Sequence, residues 1–305
     1  MVRRPNDPKS AARGGQSPVV EGAIAEPDAA GAIAEPNAAE AITEPDARAA
    51  IAEPDAGADH KMKPAVILVG ADKGGVGKTT IARVLADYLT GKNILTRAFD
   101  TESPRGTLKR FHGDITEVVD IASTSDQMKI LDTLNTAQVK VSIIDTRAGA
   151  LASTLRTLRD VAFLDAVREG QFTFILFHVL GPSISSLEEI AEMTPFVANA
   201  NYFLVKNHVN DTTFFEWDPE TYQKYFSDMR SAGELTIPRL SEMAYEQVEV
   251  AGSPFSTFVA NKTNDGRPGA HSFVLRGYVR TWQGKIAEEF DRIGLLDLIA
   301  GTEKK

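Results

Sequence analysis

Cysteine is absent from all 305 residues. Without a thiol the chain forms no disulfide, holds no thiolate zinc or iron–sulfur centre, and uses no cysteine nucleophile. Long apolar runs are missing too. Stretches such as Phe172 to Leu180 fall far short of the roughly 20 residues a membrane-spanning helix needs, so no membrane partner is expected. The opening residues, Met1-Val2-Arg3-Arg4-Pro5-Asn6-Asp7, lack the apolar core of a secretory signal, and a cytoplasmic location is expected. A basic excess is also lacking: 33 Lys and Arg stand against 42 Asp and Glu, a net charge of −9. The deficit is uneven, because residues 1–60 hold 5 basic and 11 acidic side chains and residues 61–305 hold 28 and 31. The bulk charge therefore gives no argument for nucleic-acid binding, although a local basic patch is compatible with it.

What is present divides in two. The N-terminal region carries a repeat: Ala23-Ile24-Ala25-Glu26-Pro27-Asp28 recurs from Ala32, Ala41 and Ala50, a nine-residue period that keeps Ile24, Ile33, Ile42 and Ile51 in register. A solenoid needs roughly 20 or more residues per repeat to bury a face. These units offer one isoleucine each, and a proline that interrupts any helix. Residues 1–63 are expected to form an acidic, extended, disordered arm serving as a spacer, or alternatively a docking segment anchored by the isoleucines.

From residue 64 to 305, with 43% hydrophobic residues in the chain as a whole, apolar runs alternate with helical patterns. Strands are expected at 65–70, 94–99, 116–121, 139–145, 172–179 and 201–206. Helices are expected at 79–90, 125–135, 150–168, 184–194, 219–231 and 272–293. Such alternation predicts an α/β domain, a mostly parallel twisted sheet with helices on both faces, whose ligands bind at the carboxyl ends of the strands.

At the first of those ends stands Lys73-Gly74-Gly75-Val76-Gly77-Lys78-Thr79-Thr80, between the run Ala65 to Gly70 and the helical pattern from Ile81. Strand, glycine-rich loop and helix together are the context of a phosphate-binding loop. Its glycines let backbone N–H groups curl around an anion, and the helix N-terminus adds its dipole. Lys78 would neutralise the β- and γ-phosphates, and the Thr79 hydroxyl would ligate Mg²⁺. Four later segments follow apolar runs in order. Asp100 and Glu102 could hold magnesium-bound waters or position an attacking water, while Ser103-Pro104 beside them reads as a helix start. Asp145 closes the run Val141 to Ile144, where an outer-sphere magnesium ligand is expected, with Gly149 allowing the next loop to move. Asn207 offers an amide for an adenine edge, and Pro238 a rigid surface against the base.

These residues resemble the deviant Walker A motif of the ParA/MinD partitioning ATPases, whose mark is the extra lysine, here Lys73, before the glycine pair. The resemblance runs from about Pro64 to Leu298 and is sharpest at the loop and at Ile143 to Gly149. It implies a P-loop ATPase of Rossmann-like fold in which two subunits sandwich two ATP molecules and Lys73 reaches the partner's nucleotide. It further implies that Gly74 to Thr80 cradle the phosphates, that Thr79 and Asp145 serve Mg²⁺, and that Asn207 and Pro238 contact adenine. Expected partners are a second copy of the chain, an adaptor or DNA-binding protein that stimulates hydrolysis, and nonspecific DNA. Three departures stand out: Glu102 replaces the second aspartate of an Asp-x-Asp, Asp72 stands where many such loops have glycine, and Arg147 replaces a proline.

Within the family, iron–sulfur reductases are excluded by the missing cysteines. The tyrosine kinases are expected not to apply, because the last 25 residues hold no tyrosine. A membrane-lying final helix is not expected either: the stripe Ile286, Phe290 and Ile293 is backed by Glu288, Glu289 and Asp291, which anionic lipid would repel. Arg276 and Arg280 could form a basic stripe for DNA. Phe214-Phe215-Glu216-Trp217 with Tyr222 to Phe226 reads as a local aromatic cluster or, alternatively, a docking surface. The expected role is an ATP-driven dimerisation switch that positions or segregates DNA or another cargo. The alternatives are an amide-forming ligase of the dethiobiotin and cobyrinate synthetase type, or an ATP-binding scaffold that hydrolyses poorly.

Overall fold

Ala65–Gly70 reads Ala-Val-Ile-Leu-Val-Gly, and every residue in it is buried. A strand covered on both faces needs such continuous apolar sequence, and this one (β1) is the middle of the sheet. The computed structural model describes residues 63–135, 138–210, 212–226 and 233–301. The nine-residue repeats lie outside the described residues.

Beside β1 the chain forms β2 (Thr96–Asp100), β3 (Thr116–Val118), β4 (Val141–Asp145), β5 (Thr173–Leu180), β6 (Asn201–Asn207) and β7 (Gly233–Ile237). All neighbours pair in parallel, in the order β3-β2-β4-β1-β5-β6-β7. The direction of extension reverses at β1, flanked by β4 and β5, and a crevice opens there at the carboxyl edge of the sheet. Strand register brings Asp100 beside Asp145, and Asp145 beside Val69.

Side chains alternate between two cores. Ile67, Val69, Ile143, Ile175, Phe177 and Val205 face one of them. That core is built with α1 (Lys78–Gly91), α2 (Thr107–Phe111), α8 (Glu242–Ala251), α9 (Phe255–Val259), α10 (Phe273–Arg292) and α11 (Leu295–Ala300). Val66, Leu68, Ile144, Phe174, Leu176 and Leu204 face the other. There the cover is α3 (Thr124–Leu131), α4 (Leu151–Asp160), α5 (Phe163–Arg168), α6 (Ile184–Val197) and α7 (Pro219–Phe226). Among the described residues no helix is long and apolar enough to cross a membrane.

The α/β reading of the sequence holds, with corrections. The sheet has a seventh strand, β7, just ahead of Pro238, in a stretch outside the strands expected from the sequence. Its five residues alternate in burial and are too few to stand out as an apolar run. The single helix expected at 150–168 is two, because Ala162 adopts a left-handed φ of 58°. The break turns Phe163 inward between the rings of Phe172 and Phe174, with centroids 5.6 and 5.7 Å away. The helix expected at 219–231 is found over Pro219–Phe226, and residues 227–232 lie outside the described residues. In α10 the apolar stripe is packed inward, with Ile286 and Phe290 fully buried. Its acidic face is engaged too: Glu289 accepts from the Thr236 N–H (2.9 Å) and Asp291 from the Tyr88 hydroxyl (2.5 Å). Arg276 and Arg280 do not form a shared exposed stripe, since Arg276 is half-buried and donates to the Val259 carbonyl at 3.2 Å.

Candidate functional site

The loop between β1 and α1 is built by backbone conformation. Gly75 and Gly77 have φ of 74° and 90°, the left-handed region that a side chain resists. Gly77 is constrained twice. A Cβ on it would lie 2.2 Å from Asn207 Nδ2. Gly77 is also the N-cap of α1 and has no side chain to accept from the first helical N–H groups, so the helix opens toward the crevice with its dipole uncovered.

Lys78 is buried and folds back, its Nζ donating to the Lys73 carbonyl at 3.0 Å. Burial pulls its pKa below the usual lysine value, and the charges of Asp145, Glu189, Asp72 and Glu102 oppose that shift. Asp145 is buried at the end of β4, and its Oδ1 has no hydrogen-bond partner. Burial pushes its carboxyl up to about 8, against a hydrogen bond from the Thr79 side chain; the Asp100 charge adds to the rise and that of Lys78 counters it. A carboxylate oxygen buried without a donor is costly unless a cation or proton meets it. Together with the Thr79 hydroxyl it gives a hard oxygen pair suited to Mg²⁺. No group of three or more His, Cys, Asp or Glu capable of holding a metal occurs among the described residues. An ion here would therefore complete its shell from phosphate oxygens and water, the usual habit of Mg²⁺.

Asp100 and Glu102 also line this cleft, which has a volume of about 360 Å³. Both carboxylates are engaged. Asp100 Oδ1 accepts from the Glu102 N–H (2.9 Å), and its Oδ2 from Leu108 (2.6 Å) and Lys109 (3.3 Å). Glu102 accepts from the Thr107 hydroxyl. The helix start read at Ser103-Pro104 is thus displaced: α2 begins at Thr107, and the acceptor for its N–H groups is Asp100, reaching across from the strand end. Lys73 is exposed outside the cleft, with its Cγ close to Gly181.

Asp72, the departure noted in the loop, has a structural job. Its Oδ1 accepts from the N–H groups of Leu151 (2.8 Å) and Ala152 (3.4 Å), capping α4, whose own N-cap, Ala150, offers no side-chain acceptor. Its backbone N–H donates to Glu189 of α6 at 3.0 Å. Glu189 lies 3.5 Å from the buried His178 of β5, which pairs with the Tyr202 hydroxyl at 2.8 Å. The back of the loop is thereby tied to the helical layer behind it. Arg147 is exposed at the cleft, held by its N–H to the Thr101 hydroxyl (2.9 Å).

A second, more apolar cleft of about 240 Å³ adjoins the first, lined by Asn207, Pro238, Leu240, Glu242 and Trp282 among others. Asn207 is pinned: Nδ2 donates to the Val76 carbonyl (2.9 Å) and Oδ1 accepts from the Val209 N–H (3.3 Å). Pro238 is held through its carbonyl, which accepts from Trp282 Nε1 at 2.7 Å. The structure thus brings Gly75, Gly77, Lys78, Thr79, Thr80, Asp100, Glu102 and Asp145 to one cleft and Asn207 and Pro238 to the next. Gly74 is exposed on the outer turn of the loop, and Val76 is buried beneath it. Tyr245, Val209 and Trp282 were not foreseen. No local motif marks them, and Tyr245 and Trp282 lie in helices far along the chain from the loop. The aromatic segment is a cluster around Lys206, with Phe214 fully buried and the rings of Tyr222 and Phe226 stacked at 4.7 Å; among its aromatic side chains Trp217 stands well exposed.

No protein-family model matches the chain. Protein MobD of Acidithiobacillus ferrooxidans is similar at 21% identity over 196 residues, 61% of this chain and 83% of that protein. Similar solved structures include the MinC:MinD cell division protein complex of Aquifex aeolicus (14% identity, 72% of this chain and 96% of that one, TM-score 0.42). A ParA family ATPase of Chlorobium tepidum matches at 15% identity over 72% and 98% of the two chains, TM-score 0.42. A nucleotide-binding protein of Archaeoglobus fulgidus, solved in complex with ADP, matches at 15% identity over 61% and 85%, TM-score 0.38. At these values the assignment of a P-loop α/β fold rests on the strand order and loop geometry described above.

Proposed function

We propose that the chain is an ATP-binding, slowly hydrolysing switch that closes as a homodimer on nucleotide and positions or segregates DNA, such as a plasmid or chromosome, or another cargo. One observation carries the nucleotide reading: the unpartnered, buried Oδ1 of Asp145 beside Thr79 and Lys78, under an uncapped helix N-terminus. Mg²⁺, when bound, would neutralise charge on the phosphate oxygens. The residues' own tasks follow from their chemistry. Backbone N–H groups of Gly75 to Thr80 would cradle the phosphates, Lys78 would balance their charge, and Asn207 and Pro238 would hold the base.

Slow turnover is supported by the state of the carboxylates. A general base must be free to turn toward the attacking water, and both carboxylates are held by hydrogen bonds to the protein. Asp100 accepts three backbone N–H groups and Glu102 a hydroxyl. A partner protein that rearranges the Glu102 loop would therefore accelerate hydrolysis, and in its absence the same geometry suits a poorly hydrolysing scaffold. The dimer and the trans role of Lys73 rest on the sequence resemblance, and the exposure of Lys73 outside the cleft is compatible with them.

The test is nucleotide binding and turnover with Mg²⁺. Lys78→Ala should abolish binding or hydrolysis, and unchanged ATPase in that variant would refute the site. Lys73→Ala should impair dimerisation on a slowly hydrolysed ATP analogue, read by light scattering, with less loss of binding; an undiminished dimer would remove the trans role. Running the ATPase assay with and without nonspecific duplex DNA at two salt concentrations separates a DNA-linked switch from a scaffold.

A further inference from the structure

Three residues line both clefts: Thr80, Val209 and Tyr245. A nucleotide with its phosphates in one cleft and its base in the other must pass its sugar between them. We propose that the Tyr245 hydroxyl, paired with Thr80, is the group that recognises the sugar, and that Val209 forms the apolar wall against the ring. The inference rests on the nucleotide reading above and goes beyond it by naming the ribose contact.

The geometry holds Tyr245 where this requires. Its hydroxyl lies 3.2 Å from Thr80 Oγ1, in the first turn of α1. The helix that carries it, α8, is fastened to its surroundings at several points. Ala244 and Val248 are fully buried. Glu249 grips the buried Arg83 of α1 at 2.5 Å, and its carbonyl accepts from Arg110 of α2 at 2.6 Å. A phenol and an alcohol that share one hydrogen bond retain one O–H and free lone pairs between them. That set matches a sugar hydroxyl, which both donates and accepts. When the sugar carbon bears only hydrogen, the pair still satisfies itself, so the discrimination is that of one net hydrogen bond, about fivefold in affinity.

The experiment measures binding of ATP, 2′-deoxy-ATP and 3′-deoxy-ATP, each with Mg²⁺, to the wild-type chain and to Tyr245→Phe. The wild type should bind ATP about fivefold more tightly than one of the deoxynucleotides. In Tyr245→Phe, ATP should fall to the level of that analogue, whose own affinity should not change. Equal weakening of all three ligands, or of none, overturns the inference while leaving the nucleotide site standing. Wild-type protein that binds no nucleotide overturns the nucleotide reading itself. Should Tyr245→Phe fail to fold by its ligand-free melting curve, Val209→Phe decides, since Val209 is partly exposed on the 3-10 turn that follows β6. Filling the junction should lower ATP affinity at least about fivefold, while inorganic triphosphate still binds. Undiminished ATP binding would show that no sugar passes there.

Discussion

Replacing Gly77 with alanine should cripple nucleotide binding while leaving the fold intact. Two costs combine. The backbone at Gly77 has φ 90°, and a left-handed residue bearing a Cβ costs roughly 1–2 kcal/mol. The new Cβ would lie 2.2 Å from Asn207 Nδ2, far inside contact distance, so the carboxamide must move. Moving it forfeits the hydrogen bond to the Val76 carbonyl and the one from Val209, each worth about 1 kcal/mol net. The total, about 3–4 kcal/mol, corresponds to a loss of at least about 100-fold in affinity if it falls wholly on the binding-competent loop. Gly75→Ala supplies the control. Its φ is 74° but nothing lies within 4 Å of the added carbon, so only the backbone cost applies and the loss should be about tenfold. The assay is calorimetric titration with a slowly hydrolysed ATP analogue and Mg²⁺, with ligand-free thermal melts confirming that both variants fold. If the two substitutions weaken binding equally, the close approach of Asn207 to the loop has no part in the site, and the argument fails.

Asp72→Ala should remove the cap of α4 and cost about 1 kcal/mol, lowering the melting temperature by roughly 2–4 °C, with phosphate affinity kept or slightly raised because a negative charge near Lys78 is lost. An unchanged melt with lost binding would instead place the carboxylate in the site. His112 is held neutral by burial and by the neighbouring Arg83 charge, its pKa down at about 4. Its folded value lies below its unfolded one, so its contribution is complete above the ordinary histidine pKa and is lost as the pH falls toward 4. Asp87, pushed up to about 6 by burial, runs the other way and loses stability as pH rises through that value. His112→Gln should therefore gain on the wild type by about 2 kcal/mol between pH 7 and pH 4.5 in urea unfolding, and a constant difference would refute the assignment.

Much of this protein is legible in its local chemistry. The run Ala65 to Gly70 must be a doubly covered strand because it is apolar without alternation, and the glycines after it can only serve a loop that curls. Asp145, closing another such run, reads correctly as a strand-end carboxylate. The errors arise where the deciding contact is distant. Ser103-Pro104 has the residues of a helix start, but Asp100 captures the N–H groups farther on. Residues 150–168 look helical throughout, and the break at Ala162 exists because Phe163 finds partners on β5 and the segment before it. The strand β7 and the helices α8 and α9 carry patterns too short or too mixed to declare themselves.

The amino-acid order by itself determined an α/β domain behind an acidic repeat, with a curled glycine loop after the first strand and carboxylates at the strand ends beside it. Hydrophobic period and backbone freedom are properties of neighbouring residues, and they survive in one dimension. Only the tertiary structure decided which side chains complete the crevice. Asn207 meets Val76 across 131 residues, and Tyr245 meets Thr80 across 165. Such pairings depend on how the parallel strands are ordered and on where α8 and α10 settle against α1. That placement is set by burial summed over the whole core, which no local stretch of sequence encodes.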